Sequence, residues 1–172
     1  LKEGDEVLIT LAEHASNTLP WFEVAKHTGA IIKYIDLDEE GKVTLENVKK
    51  AVTEHTKIIS LAQITNVLGY LAPIKEICNF AHEHDIIVCV DGAQSAPHHA
   101  VDVQDLDVDF FAFSGHKMCG PTGVGVLYGK YHLLDEMTPT RFGGGSNARY
   151  NSCGLVKLKN APTKFETGTP NI

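Results

Sequence analysis

The sequence predicts an α/β fold: three layers (α/β/α) around a mainly parallel, mixed sheet. Three observations support this. Short β-branched runs alternate with amphipathic stretches, and each run is bounded by charged or turn residues. The alternation breaks after residue 114, where only a glycine-containing loop separates two apolar runs.

Taken in order, "DEVLITLAE" (5–13), "IIKYIDL" (31–37), "TKIISLA" (56–62) and "DIIVCVD" (85–91) read as strands, each a short apolar run between punctuating residues. Trp21 and Phe22 are expected at the start of a helix, as core or dimer contacts. "TLENVKKAVTE" (44–54) reads as a helix with Leu45, Val48 and Val52 on its apolar side and Thr44 as N-cap. "PIKEICNFAHEH" (73–84) reads as a second helix, with Pro73 at its first position and Ile74, Ile77, Cys78 and Ala81 facing inward. Strands separated by helices imply a parallel sheet covered on both faces. "DVDFFAFS" (107–114) is a further strand, and too few residues separate it from "GVGVLYG" (123–129) for a helical crossover, so an antiparallel neighbour is expected. Beyond about residue 138 the signals fade into "GGGSNARYNSCG" (143–154), a loop or hairpin.

At 172 residues and 43% hydrophobic content the chain can bury one substantial core, so a single domain spanning 1–172 is expected. The net charge of −7, without any basic run, argues against nucleic acid as a partner. Cys78, Cys89, Cys119 and Cys153 show no C-x-x-C spacing, and the first two sit in apolar stretches, which suits reduced thiols and a cytoplasmic setting. No apolar run is long enough for a transmembrane helix, so no membrane partner is expected. The chain starts at Leu1 and stops at "GTPNI", and is expected to be a piece of a longer protein.

In open α/β sheets ligands bind beyond the carboxyl ends of the strands. Three strand runs end there in reactive residues: Glu13-His14, Asp91-Gly92-Ala93-Gln94, and Ser114-Gly115-His116-Lys117. Singly, each has an ordinary explanation as a cap, a turn or a solvated cation. Together they form a matched set for pyridoxal phosphate. A lysine in a partly dry pocket can lose its proton and attack an aldehyde to give a Schiff base, which suits Lys117. A carboxylate beside the pyridine nitrogen keeps it protonated, which suits Asp91. Ser114 and His116 can donate to a phosphate, Gln94 can bond the ring hydroxyl, and His14 can stack on the ring and carry a proton.

The stretches "EHASNTLPW", "TNVLGYLAPI", "VDGAQSAPHHAVDVQDLDVDFFAFSGHKMCGPTGVGVLYGK" and "FETGTPN" resemble the class V aminotransferases of fold type I, and within them the SufS-like cysteine desulfurases. The resemblance covers residues 1 to about 142 and 161 to 172. It implies the large domain of a homodimeric pyridoxal 5'-phosphate enzyme that removes sulfur from L-cysteine, leaves alanine, and passes the sulfur as a persulfide to an acceptor protein of iron–sulfur cluster assembly. It implies Lys117 as the Schiff-base lysine, Asp91 as the pyridinium partner, Gln94 as the ring-hydroxyl contact and His14 as the stacking imidazole. Ser114 and His116 match phosphate ligands, Asn66 a substrate-carboxylate contact, and Thr169 a phosphate contact across the dimer.

The chain departs from the family pattern in reading Ala15 after Glu13-His14, and Gln63 where a His is common. The family's upstream phosphate loop and its small C-terminal domain, with the sulfur-accepting cysteine, would lie outside 1–172. Cys153, in "YNSCGLVKLK", is a free thiol without an adjacent base. His98-His99 is a solvated pair and not a metal site, and Ser114, His116 and Asp91 lack the elbow of a hydrolase triad. Alternatives are a selenocysteine lyase, another class V aminotransferase, an inactive scaffold, or a cofactor-binding and dimerisation fragment without turnover.

Overall fold

A computed structural model of the chain describes residues 1–154 and 156–169. It divides into two compact units, Leu1–Tyr128 and Gly129–Ile172.

The first unit is built on a six-stranded sheet in the order β2-β1-β3-β4-β5-β6. Its strands are β1 (Glu6–Ile9), β2 (Ile31–Tyr34), β3 (Thr56–Ala62), β4 (Ile87–Asp91), β5 (Phe110–Ser114) and β6 (Gly125–Gly129), the last crossing the unit boundary by one residue. Pairings β1–β2, β1–β3, β3–β4 and β4–β5 are all parallel. β6 begins where β5 ends, with Gly115 N donating to Val124 O at 2.8 Å, so it returns as a hairpin partner. This is the mixed, mainly parallel sheet expected from the short loop. β1 is buried at every position, as a central strand covered on both faces must be, whereas the edge strand β2 is largely exposed.

Helix α1 (Ala15–Thr28) follows β1 and lies on one face, where Ser60 Oγ of β3 donates to Asn17 Oδ1 at 2.8 Å. α2 (Leu45–Ala51) and α3 (Ile74–His82) cover the other face. Their Val48, Ile74, Ile77, Cys78 and Ala81 pack in one core with Leu8, Ile59, Leu61, Val88 and Phe111. Thr44 caps α2 by accepting from Asn47 N at 3.1 Å, as the sequence indicates. Pro73 is the N-cap of α3 rather than its first helical residue, a one-position difference.

Trp21 and Phe22 fall in the middle of α1, not at its start, and both are half-buried. The helix runs straight through Pro20, beginning instead at His14, whose Nδ1 accepts from Ser16 N at 3.1 Å. Two single-turn helices, α4 (Ser95–His98) and α5 (Val103–Leu106), also lay outside the sequence reading.

The second unit holds α6 (Tyr131–Glu136), which the sequence does not indicate, and an antiparallel hairpin of β7 (Asn147–Tyr150) and β8 (Val156–Leu158), which lies beyond residue 138, where a loop or hairpin is expected. Lys164 is buried, and its Nζ donates to Asp135 O at 2.6 Å. The glycines of "GGGS" run beside the "ETG" backbone: Gly145 N donates to Thr167 O at 3.1 Å, and a Cβ at Gly143 would stand 2.2 Å from Thr167 O.

Candidate active site

The strand order reverses between β1 and β3, since β2 lies to one side of β1 and the later strands to the other. At such a reversal the connections diverge to opposite faces and leave a crevice at the carboxyl ends. The predicted residues of the first unit cluster at these ends: Glu13-His14 after β1, Asn66 after β3, Asp91 to Gln94 at the end of β4, and Ser114 to Lys117 at the end of β5.

β4 and β5 are parallel neighbours, with Asp91 opposite Ala112, so Asp91 and the Ser114–Lys117 turn open on the same edge. The Asp91 carboxylate is half-buried, and its Oδ1 accepts from Ala93 N at 2.8 Å. That bond turns the chain sharply and begins the segment leading to α4, which packs against the turn carrying Lys117. Gly92 makes this turn fit: a Cβ there would lie 2.1 Å from the Phe111 ring.

Lys117 sits in a 3-10 turn (Gly115–Met118) that closes on itself. Gly120 N donates to Gly115 O at 2.9 Å, and Cys119 adopts φ +63°, in the left-handed region. The glycines permit this tight return, because a Cβ at Gly120 would stand 2.8 Å from Gly115 O. The Lys117 side chain is half-buried and makes no hydrogen bond or ion pair among the described residues. Ser114 is half-buried and His116 exposed, with both side chains equally without partners among the described residues. Gln94 is half-buried at the N-cap of α4.

Asn66 is exposed on a turn that Gly69 closes, its N–H donating to Thr65 Oγ1 at 3.1 Å. His14 is exposed, and its Nδ1 is engaged in capping α1, leaving Nε2 as the ring's open nitrogen. Thr169 is exposed in the second unit; the Pro170-Asn171 part of "FETGTPN" lies outside the described residues.

Two residues at the crevice were not given roles by the sequence. The Glu13 carboxylate accepts three hydrogen bonds, each at 2.8 Å, from Thr10 Oγ1, Asn17 Nδ2 and Ala62 N. It thereby ties the start of α1 to the end of β3. Burial raises its pKa, the three hydrogen bonds lower it, and the nearby Asp91 charge raises it further, for a net upward shift. Gln63 is only 7% exposed, and its Oε1 is buried with no hydrogen-bond partner. Such an orphan costs about 1–3 kcal/mol when nothing fills the gap. The sequence marks it only as a departure, a Gln where the family commonly has His, just past a strand end, and assigns it no role.

Among the cysteines, Cys78 is buried in the core, and the Cys89 thiol is pushed up to about 12, first by desolvation and then by the Asp109 charge. Cys119 and Cys153 are exposed. His98 and His99 are exposed, and His98 Nδ1 lies 2.7 Å from Gln94 O. No group of three or more metal-ligating side chains occurs among the described residues. No helix among them is long and apolar enough to cross a membrane.

The chain belongs to the class-V aminotransferase family, whose model matches residues 1–172. A probable cysteine desulfurase of Halalkalibacterium halodurans is 52% identical over 174 residues, covering 100% of this chain and 42% of that protein. The crystal structure of the cysteine desulfurase CsdA of Escherichia coli, in an S-sulfonic acid form, matches with TM-score 0.96 and 42% identity over 99% of this chain and 43% of that one. A lysine variant of C-DES, with glycine covalently linked to its PLP cofactor, matches with TM-score 0.88 and 28% identity over 98% of this chain and 46% of that one. The chain thus spans about two fifths of the length of these relatives.

Proposed function

We propose that the chain is the cofactor-binding part of a pyridoxal 5'-phosphate-dependent cysteine desulfurase of the SufS-like kind. The observation that carries this reading is the half-buried, unpartnered Lys117 on a strand-end turn beside Asp91, in a crevice with Ser114 and His116 unpaired among the described residues. The donor set fits the group: an amine for an aldehyde, an acid for a ring nitrogen, hydroxyl and imidazole donors for a phosphate, and an orphaned amide oxygen for one further hydrogen. When bound, pyridoxal phosphate supplies an electron sink for chemistry at an amino acid's α-carbon.

The chain's own residues divide the work. Lys117 would offer its amine to the aldehyde carbon and could afterwards carry a proton near it. Asp91, fixed through Oδ1 by Ala93 N, would hold a ring nitrogen and make a positive charge there favourable. Ser114 and His116 bind phosphate oxygens, with Thr169 a further phosphate contact supplied across a homodimer. Gln94 bonds the ring hydroxyl, Asn66 the substrate carboxylate, and His14 uses its open Nε2 at the ring face. In the net reaction L-cysteine and an acceptor thiol give alanine and a persulfide: the C–S bond breaks, an S–S bond forms, and the thiol proton is conserved on the products.

A homodimer is supported by Leu11, Leu19, Val67, Leu68 and Leu71, all more than half exposed on segments flanking the crevice. The two units are proposed to be parts of one cofactor-binding domain, the setting cytoplasmic, and the sulfur acceptor a protein of iron–sulfur cluster assembly. The test is to supply the full-length protein that contains this chain with pyridoxal phosphate and L-cysteine, L-selenocysteine, or an amino acid and 2-oxo acid pair. Alanine and sulfane sulfur from cysteine in excess of the other products support the reading. Selenide release alone, or amino transfer alone, would replace it with one of the alternatives.

A further inference from the structure

Gln63 follows the last residue of β3, at the point where the strand order reverses. Its backbone is held on both sides: the N–H donates to Asp91 O at 3.0 Å, and the carbonyl accepts from Ala72 N at 2.8 Å. The Gln63 backbone is therefore anchored beside that of Asp91, at the edge of the sheet where the crevice opens. Yet its amide makes no hydrogen bond among the described residues, and Oε1 is fully buried on a residue only 7% exposed. Rotating the amide would only exchange a buried unpaired acceptor for a buried unpaired donor. The Glu13 carboxylate, bonded to the adjacent Ala62 N–H, has its three donors and does not satisfy it. Buried polar side-chain atoms are normally paired, so an orphan at the ligand-binding edge of the sheet points to a partner that the described residues do not supply.

We propose that Gln63 is a ligand-contacting residue whose amide oxygen accepts a hydrogen bond from an N–H or O–H group of the molecule held beside Asp91. The inference rests on the pyridoxal-phosphate reading above. A neutral amide holds such a hydrogen without taking it, since it does not titrate in the neutral range. Residue 63 therefore positions and does not shuttle protons, and proton movement in the crevice falls to titratable side chains such as Lys117 and His14.

Two variants of the full chain test this. Gln63→Met keeps the length and packing of the side chain and removes the acceptor; Gln63→His introduces a titratable ring. Each is titrated with pyridoxal 5'-phosphate by visible absorbance, and its thermal midpoint is measured without cofactor. Gln63→Met is expected to bind the cofactor about tenfold more weakly, while its cofactor-free midpoint stays level or rises because a buried orphan has gone. Gln63→His is expected to add a step to the cofactor's spectral pH profile at about pH 6.5, absent from the wild type. Unchanged affinity in Gln63→Met, or a Gln63→His spectrum that follows the wild-type pH profile, would overturn the inference while leaving the cofactor reading intact. A wild-type chain that develops no visible band would sink the cofactor reading, and the inference with it.

Discussion

Replacing Gly92 by Ala tests how the acid of the crevice is held in place. The new Cβ would stand 2.1 Å from two atoms of the Phe111 ring and 2.9 Å from a third. Ordinary carbon–carbon contact begins at about 3.5 Å, so ring and backbone must part by about 1.4 Å. Neither yields readily. Phe111 is 2% exposed within the core, and Gly92 N is tied to Ala112 O at 2.8 Å on the strand that carries the ring. Overpacking of this kind costs about 3 kcal/mol, the upper end of the usual range. Phe111→Ala alone costs about 3–5 kcal/mol through the cavity it leaves. In that background the added methyl has room, so Gly92→Ala should cost less than about 1 kcal/mol more, a coupling of about 2 kcal/mol. Urea unfolding of the four full-length chains, followed by far-ultraviolet circular dichroism, measures the cycle. The reasoning fails if Gly92→Ala unfolds within about 0.5 kcal/mol of wild type, or costs the same with and without the Phe111 ring.

Glu13→Gln should flatten part of the pH dependence of stability. Burial holds the Glu13 pKa above its ordinary value, so the folded chain binds this proton more tightly and loses stability as pH rises from about 4.5 through the raised value. The Gln variant lacks that loss, and its stability relative to wild type should grow across the window; a constant difference from pH 4 to pH 7, on the scale of about pH units that linkage sets, would contradict this. Native alkylation with iodoacetamide at about pH 8, half a unit below an ordinary thiol, should modify Cys119 and Cys153, which are exposed, and spare Cys78 and Cys89, which burial and a thiol pushed up to about 12 protect. Mass spectrometry showing Cys89 modified before Cys119 would count against the packing described.

Much of the fold is legible in the sequence because the central strands are uniform apolar runs and the helices after β2 and β3 carry apolar faces, the first capped by Thr44 and the second opening on Pro73. The single-turn helices α4 and α5 are not, since four residues hold too little periodicity to register. The start of α1 is obscured because Pro20 suggests a first-turn position, whereas the His14 ring provides the cap six residues earlier. At the site, Asp91 and Lys117 stand out as strand-end residues in a stretch that resembles a known motif. Glu13 and Gln63 are visible there too, but nothing in the sequence assigns them a role. The burial of the Glu13 carboxylate depends on donors from α1 and β3, and the Gln63 orphan is defined by what the surrounding chain fails to offer. Both are properties of the tertiary arrangement, invisible in a linear pattern.

The central claim is that Lys117 is the residue that bonds pyridoxal phosphate. The direct measurement is to add the cofactor to the full chain, reduce with borohydride, digest, and locate the modified lysine by mass spectrometry. The account predicts one adduct, on Lys117, absent from Lys117→Ala, with Asp91→Asn still modified at Lys117 but altered in its visible spectrum. An adduct at a different single lysine in the wild-type chain, or one that persists in Lys117→Ala, would contradict it.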